Sequence, residues 1–270
     1  MRTVSLAFIS LLAACGTSVT ADPGLGNEGG DTSDIPGADG GALTPVEAEA
    51  CTKMDIVFVV DESGSMSEEQ SNLAANFPLF FDIIENYQNE DGAPLDYRIA
   101  VTTTGRDVDY TMKLPAPFGT ELAMSETGDN GSFRQECGMN RPWIERGDAD
   151  VKSTFSCLAQ VGTNGPALEM PLYALELGFS DRMSDGTNGD FLREDALLAV
   201  VILTDEDDCS RSDNNFVIEN DQCAADDPAF LSVDHSLAFL DNLKGDRGRW
   251  ASAVIAGPND CESSFGSAYG

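Results

Sequence analysis

Asp61, Ser63 and Ser65 put one carboxylate and two hydroxyls on alternate residues of one short turn, with Gly64 between the serines to let the chain bend. Oxygen donors of this kind suit a hard divalent cation, Mg²⁺ first, with Mn²⁺ or Ca²⁺ as alternatives. Two later clusters carry the same donor types. Thr163 stands in Gly162-Thr163-Asn164-Gly165, and Asp205 opens the acidic run Asp205-Glu206-Asp207-Asp208. Asp61, Ser63, Ser65, Thr163 and Asp205 together offer a metal ion protein oxygens, direct or through water, and leave a coordination position open. Taken alone, the first cluster is also what a helix N-terminus asks for, since Asp and Ser are favoured caps.

The elements that must position these groups are legible from hydrophobic patterning. Asp55 to Val60 is a continuous β-branched and aromatic run, as in a strand buried on both faces. Asp96 to Thr104, Ala196 to Leu203 and Trp250 to Ala256 read as three more strands. Ser67 to Gln88 reads as a helix, with Leu73, Phe77, Phe80, Ile84 and Tyr87 on one stripe and Ser67 and Gln70 as a capping box. Pro78 inside it predicts a kink or an early stop. Leu168, Leu172, Leu175 and Phe179 share a second helical face, and Leu237, Leu240 and Leu243 a third. Strands alternating with amphipathic helices predict an α/β fold, a doubly wound and mostly parallel sheet flanked by helices. Ligands of such sheets bind at the carboxyl ends of strands, where the Asp61 and Asp205 clusters fall. The segment from 105 to about 160 is polar and glycine-rich, and is expected to be an irregular, disulfide-stapled insertion at the binding edge.

The order Asp61-x-Ser63-x-Ser65, then Thr163 in a Gly-Thr-x-Gly loop, then Asp205 after a hydrophobic strand, resembles the metal-ion-dependent adhesion site of von Willebrand factor A domains. The runs VVDESGSM, VGTNGP and VVILTDEDDCS are similar to those of secreted A-domain lipoproteins of bacteria such as myxobacteria. The resemblance covers roughly residues 51 to 257. It implies a Rossmann-like α/β fold, direct metal contacts from Ser63, Ser65 and Thr163, water-mediated ones from Asp61 and Asp205, and a protein partner whose acidic side chain fills the open position. It also implies one more strand and a last helix after Ala256, for which the chain to Gly270 is too short. The large insertion before Thr163 is a second departure from the family pattern.

The N-terminus and the charge bear on where such a protein works. Met1-Arg2-Thr3 is followed by an apolar run, Val4 to Ala14, too short for a spanning helix of about 20 residues. Leu12-Ala13-Ala14-Cys15 resembles a bacterial lipobox, which implies a signal peptide over 1–14 and acylation of Cys15. Residues 15–50 are rich in Gly, Asp, Pro, Ser and Thr and are expected to be a disordered tether. The expected folded domain is 51–270. Gly16 after the cysteine points to the outer membrane, with the lipid anchor as the only membrane contact. Forty-seven acidic residues against 15 basic ones give a net charge of −32, a field that repels nucleic acid and attracts cations. Of seven cysteines, Cys15 is assigned to lipid. An even number then remains for disulfides in an exported chain. Neighbouring pairs, Cys137–Cys157 and Cys209–Cys223, are expected, with Cys51 left to Cys261. Zinc is a poor fit, because there is no Cys-x-x-Cys and His235 is the only histidine.

Catalysis fits the sequence less well than binding. Two aspartates and a metal also serve phosphoryl transfer, but phosphatases of the haloacid dehalogenase type want Asp-x-Asp where this chain has Asp61-x-Ser63. No Gly-x-Ser-x-Gly elbow surrounds Ser63 or Ser65. A metal-dependent adhesion or binding protein is therefore expected, and not an enzyme. The alternatives are a structural envelope module with a rigidifying ion and, behind it, a metal-dependent phosphohydrolase. Glu206, Asp207 and Asp208 are read as a solvated face, His235 as a helix surface residue, and Trp143 and Trp250 as packing residues.

Overall fold

A computed structural model describes residues 52–89, 91–114, 119–219 and 228–256, and the backbone of 260–262 and 267–269. The expected signal peptide and tether, and with them Cys15 and Cys51, lie outside the described residues, as does Cys223. In chain order the first half holds β1 (Lys53–Val60), α1 (Ser67–Asn86), β2 (Asp96–Thr103), β3 (Val108–Lys113), β4 (Glu121–Glu126), β5 (Ile144–Glu145) and α2 (Val151–Leu158). The second half holds α3 (Pro171–Phe179), α4 (Asp181–Ser184), β6 (Leu197–Leu203), β7 (Phe216–Glu219), α5 (Val233–Lys244), β8 (Trp250–Ile255), β9 (Asp260–Glu262) and β10 (Ser267–Tyr269).

The main sheet has the order β5-β2-β1-β6-β8, with β2, β1, β6 and β8 parallel and the short β5 antiparallel on the edge. Side chains of β1 alternate between two cores. Ile56, Phe58 and Val60 face α1 and α2, where Phe77, Phe80 and Phe155 pack on Phe58. Val57 and Val59 face the other way, onto Leu175 and Phe179 of α3 and Leu240 of α5. Helices thus cover both faces, which is why the central stretches of β1 and β6 are continuously apolar. Val60 pairs with Thr103 on one side and Leu203 on the other, so β1, β2 and β6 end level. The chain passes from β1 to β2 in one direction and places β6 on the opposite flank, so the strand order reverses between β1 and β6. A crevice for ligands opens outside the carboxyl ends of strands at such a point.

At the opposite end of β1 the buried Asp55 accepts from the Arg193 amide at 2.7 Å and from its guanidinium Nε at 2.8 Å. Arg193 also pairs with Asp96 at 2.8 Å, tying β1 and β2 to the loop before β6.

Several expectations are corrected here. Helix α1 continues past Pro78 to Asn86, so the early stop, one of the two expected outcomes there, does not occur. A proline cannot donate to the carbonyl four residues back, and the Ser156 hydroxyl of α2 takes that place, donating to the Ala74 carbonyl at 3.0 Å. The Ser67–Gln70 capping box does not form: α1 has no side-chain cap bond, and Gln70 turns to other partners described below. The segment from 105 to 160 is not irregular, since it contains β3, β4, β5 and α2. Strands β3 and β4 form a hairpin, and β3 pairs in parallel with β7 to give a second sheet of order β4-β3-β7. Its core is Val108, Tyr110, Phe216 and Ile218 with Met170 and Leu168. Leu168 therefore belongs to this core and not to the face of α3, which begins only at Pro171. The disulfide expected between Cys137 and Cys157 is present. Cys209 is also disulfide-bonded, and the expected Cys209–Cys223 and Cys51–Cys261 pairings fall outside the described side chains. After β8, the backbones of β9 and β10 pair with each other in an antiparallel ladder and do not extend the main sheet.

Replacing Ser156 by Ala should lower the unfolding free energy by about 1 kcal/mol, because the Ala74 carbonyl loses its donor. In a Pro78→Ala background, where residue 78 regains an N–H, the same change should cost clearly less. Urea denaturation of the four proteins of this cycle measures the difference.

Candidate metal centre

Asp61 is the first residue beyond β1 and is fully buried. Its amide still donates to Leu203 of β6 at 2.9 Å, so the ladder carries it past the end of the strand. Both carboxylate oxygens are oriented by neighbours: Oδ1 accepts from the Ser63 amide at 2.7 Å and Oδ2 from the Thr204 hydroxyl at 2.7 Å. The turn that follows brings Ser63 Oγ to 3.1 Å from Ser65 Oγ, and Ser65 Oγ to 3.1 Å from Asp205 Oδ1. A hydroxyl has one proton. Ser65 gives its proton to Asp205, so Ser63 must donate to Ser65. Four of the expected ligands, Asp61, Ser63, Ser65 and Asp205, are therefore joined through one hydrogen-bonded patch at the β1/β6 crevice. Gly64 serves the bend without left-handed backbone, and a Cβ there would meet nothing within 4 Å.

Thr163 makes no hydrogen bond to this patch, but its loop is fastened beside it on both sides. The Gln70 side chain, 3% exposed, donates to the Asp61 carbonyl at 2.8 Å and the Gly162 carbonyl at 2.7 Å, and accepts from the Gly162 amide at 3.2 Å. Two residues beyond Thr163, the Gly165 amide donates to the Glu62 carbonyl at 2.9 Å. The Glu62 side chain wedges between two glycines. A Cβ on Gly165 would stand 1.9 Å from Glu62 Cγ, and one on Gly105 would stand 2.5 Å from Glu62 Oε1. Glycine at both positions is thus required by close approach.

The electrostatics of the site are those of crowded acids. Burial raises the Asp61 pKa against the opposing pull of Thr204 and Ser63. Burial also pushes Glu62 up to about 7. Glu169, 3% exposed, is pushed up to about 10, first by burial and then by the charges of Asp61, Glu206 and Asp205. The contrast with the far end of β1 is sharp. Asp55 has a guanidinium against it, whereas Asp61 has only hydroxyl and amide donors and no ion pair among the described residues. No three His, Cys, Asp or Glu side chains among the described residues converge as a metal group. The patch instead combines two carboxylates with two hydroxyls, a donor set that fits a hard, hydrated cation.

Thr204, Gln70, Glu62 and Glu169 were not among the expected site residues. Glu169 had a signal, an acid between Leu168 and Met170 in an otherwise apolar stretch. Gln70 had none, because its spacing from Ser67 suits a cap equally well. The expected solvated face is corrected at Asp208. Its Oδ1 accepts from the Leu172 amide at 3.4 Å, and the Ser210 hydroxyl accepts from the Tyr173 amide at 2.8 Å, so the loop after β6 caps α3. Glu206 and Asp207 are exposed. His235 sits on α5 with Nε2 2.8 Å from Glu176. Trp143 lies against Phe191 and Arg98, and Trp250 is buried in the second core.

No family model and no curated protein matches this sequence. Among solved structures, proximal thread matrix protein 1 of the mussel byssus is similar at 13% identity and a TM-score of 0.31, over 77% of this chain and 36% of that one. The adhesive tip pilin GBS104 of Group B Streptococcus agalactiae is similar at 12% identity and a TM-score of 0.31, over 59% of this chain and 47% of that one. The chain thus spans less than half the length of either protein, and likeness this slight has no bearing on the site.

Two outcomes follow from the geometry. Gly165→Ala should destabilise the protein by about 1–3 kcal/mol, the range for overpacking, while Gly64→Ala should stay within about 1 kcal/mol of wild type; thermal melts of both variants compare them. The second concerns pH. With chelator present, folded Glu62 and Glu169 hold protons that an unfolded glutamate, with its ordinary value of 4.5, releases. The stability they contribute is complete below that value and is lost as pH rises through 7 and beyond. Urea midpoints of chelated protein should therefore fall steadily from about pH 5 to about pH 8.

Proposed function

We propose that this chain binds one divalent cation at Asp61, Ser63, Ser65 and Asp205, with Thr163 reaching it from the adjoining loop, and uses the ion to grip a protein partner through an acidic side chain. The reading is that of a von Willebrand factor A domain with a metal-ion-dependent adhesion site, carried on a bacterial outer-membrane lipoprotein. The observation that carries it is the pair of buried aspartates at the two ends of β1. Asp55 is ion-paired with Arg193, which opposes the rise that burial gives its pKa, while Asp61, equally buried, has hydroxyl and amide donors and other acids around it and no ion pair among the described residues. A buried carboxylate without a counter-charge is costly, and a metal ion supplies the charge that no side chain does here. Mg²⁺ is the first choice because a hydrated, octahedral ion tolerates ligation partly through water; Ca²⁺ and Mn²⁺ use the same donors. The net charge of −32 favours cation capture and a partner contact bridged by metal over a direct one between acids.

Calorimetric titration of the purified chain with Mg²⁺, Mn²⁺ and Ca²⁺ should show one ion bound, and the Asp61→Ala, Ser63→Ala double variant should bind none while remaining folded. Beads bearing a glutamate-containing peptide should retain the wild type only with the ion present. Binding of the ion that stabilises the fold but leaves retention unchanged would make it a rigidifying ion in an envelope module, and turnover of a generic phosphoester would move the reading to hydrolysis.

A further inference from the structure

The backbone of Glu169 is fixed from both sides. Its carbonyl accepts from the Cys209 amide at 2.8 Å, and the amide of the next residue, Met170, donates to the Thr104 carbonyl at 3.1 Å, just past the end of β2. The second sheet's core, with Met170 and Leu168 in it, holds this segment against the crevice. The side chain is consequently committed to the interior. Glu169 is 3% exposed, and its Oε1 has no hydrogen-bond partner among the described residues. The nearby buried cation Arg106 spends its donors elsewhere: Nε on Met170 Sδ at 3.1 Å, Nη1 on the Asp107 carbonyl at 3.2 Å, and Nη2 on the Asp213 carbonyl. The charges that act on Glu169 most strongly are Asp61, Glu206 and Asp205, two of which belong to the hydroxyl–carboxylate patch. A buried oxygen left without a donor, facing acids, lowers the stability of the fold unless something else occupies the site.

We propose that Glu169 is the inner carboxylate of the cation site, a positioning residue that holds a water of the bound ion from the buried side of the crevice. It acts through water because three carboxylates do not converge to direct ligation here. This inference rests on the cation-binding reading above and deepens it. Asp61 and Asp205 supply the two carboxylates of the patch, and Glu169 adds a third acid that the Asp-x-Ser-x-Ser pattern does not contain. Residues that orient ligands from behind are worth about ten- to a hundredfold in metal affinity. The chemistry of a wholly oxygen set, including an added acid, keeps the site selective for hard cations.

The test compares wild type, D61A and E169Q by calorimetric titration with Mg²⁺ and Mn²⁺, and by melting of each protein in chelator. E169Q should bind either ion about ten- to a hundredfold more weakly than wild type, while its melting temperature in chelator stays equal to or above that of wild type. A residue that served packing alone would instead lower the chelated melting temperature and leave affinity untouched, and that pattern overturns the proposal. E169Q binding as wild type does while D61A binds nothing overturns this inference and leaves the cation site standing. Failure of wild type itself to bind either ion overturns both. Should E169Q not fold, E169M, an apolar side chain of similar length, is read by the same criteria.

Discussion

The hydrogen bond from the Thr204 hydroxyl to the Asp61 carboxylate, 2.7 Å long and closed to solvent, joins the ends of the two central strands at the point where the sheet reverses its order. Strands β1 and β6 arrive there level because they are paired in register, and both are wholly apolar over their carboxyl-terminal halves. Everything polar that follows in the chain then emerges from a dry interior in one place. The Asp61 turn, the Thr204–Asp205 pair and, through Gln70, the Gly162 loop are all held to that one carboxylate or its carbonyl. Loosening the Thr204–Asp61 bond would free the orientation of Asp61, and with it the spacing between the serines and Asp205.

The surroundings of this point are arranged to keep loops fixed without regular structure in them. Glu62 fills a slot lined by Gly105 and Gly165, Gln70 bridges two segments, and Asp208 with Ser210 caps α3 from the loop after β6. The Cys137–Cys157 bridge ties the segment before β5 to α2. A set of oxygen donors held by such contacts is preorganised, so little ordering would be required of the site for the proposed ion.

That arrangement conflicts with the stability of the fold. Asp61, Glu62 and Glu169 are all raised in pKa by burial, and two of them have an oxygen without a hydrogen-bond partner among the described residues. Asp55 and Lys244, buried elsewhere, have partners: Asp55 has Arg193, although burial still raises its pKa, and Lys244 Nζ donates to the Arg193 carbonyl at 2.8 Å. Three acids raised by burial and without an ion pair among the described residues act on one another there, the pattern on which the proposed site rests.

Much of the frame is determined by the sequence alone. The four apolar strands, the stripes of α1 and α5, the local Cys137–Cys157 pair and the Asp61-Glu62-Ser63-Gly64-Ser65 turn are local patterns, written in neighbouring residues and readable by period or spacing. Tertiary structure alone decided the rest. The second sheet was hidden because its core is built from sparse residues far apart in the chain, Tyr110, Leu168 and Phe216, which show no shared period. That α1 continues past Pro78 was not legible because the substitute donor, Ser156, lies on another helix. Gln70 was read as a cap because its partners Asp61 and Gly162 are brought to it only by folding. Glu62 looks in sequence like any other acid of a strongly acidic chain, and Glu169 differs only in standing within an apolar stretch. Their burial, and so their chemistry, is set by residues distant in sequence, Gly105 and Gly165 for the one, Thr104 and Cys209 for the other, because solvation of a side chain depends on what folds over it and not on what flanks it.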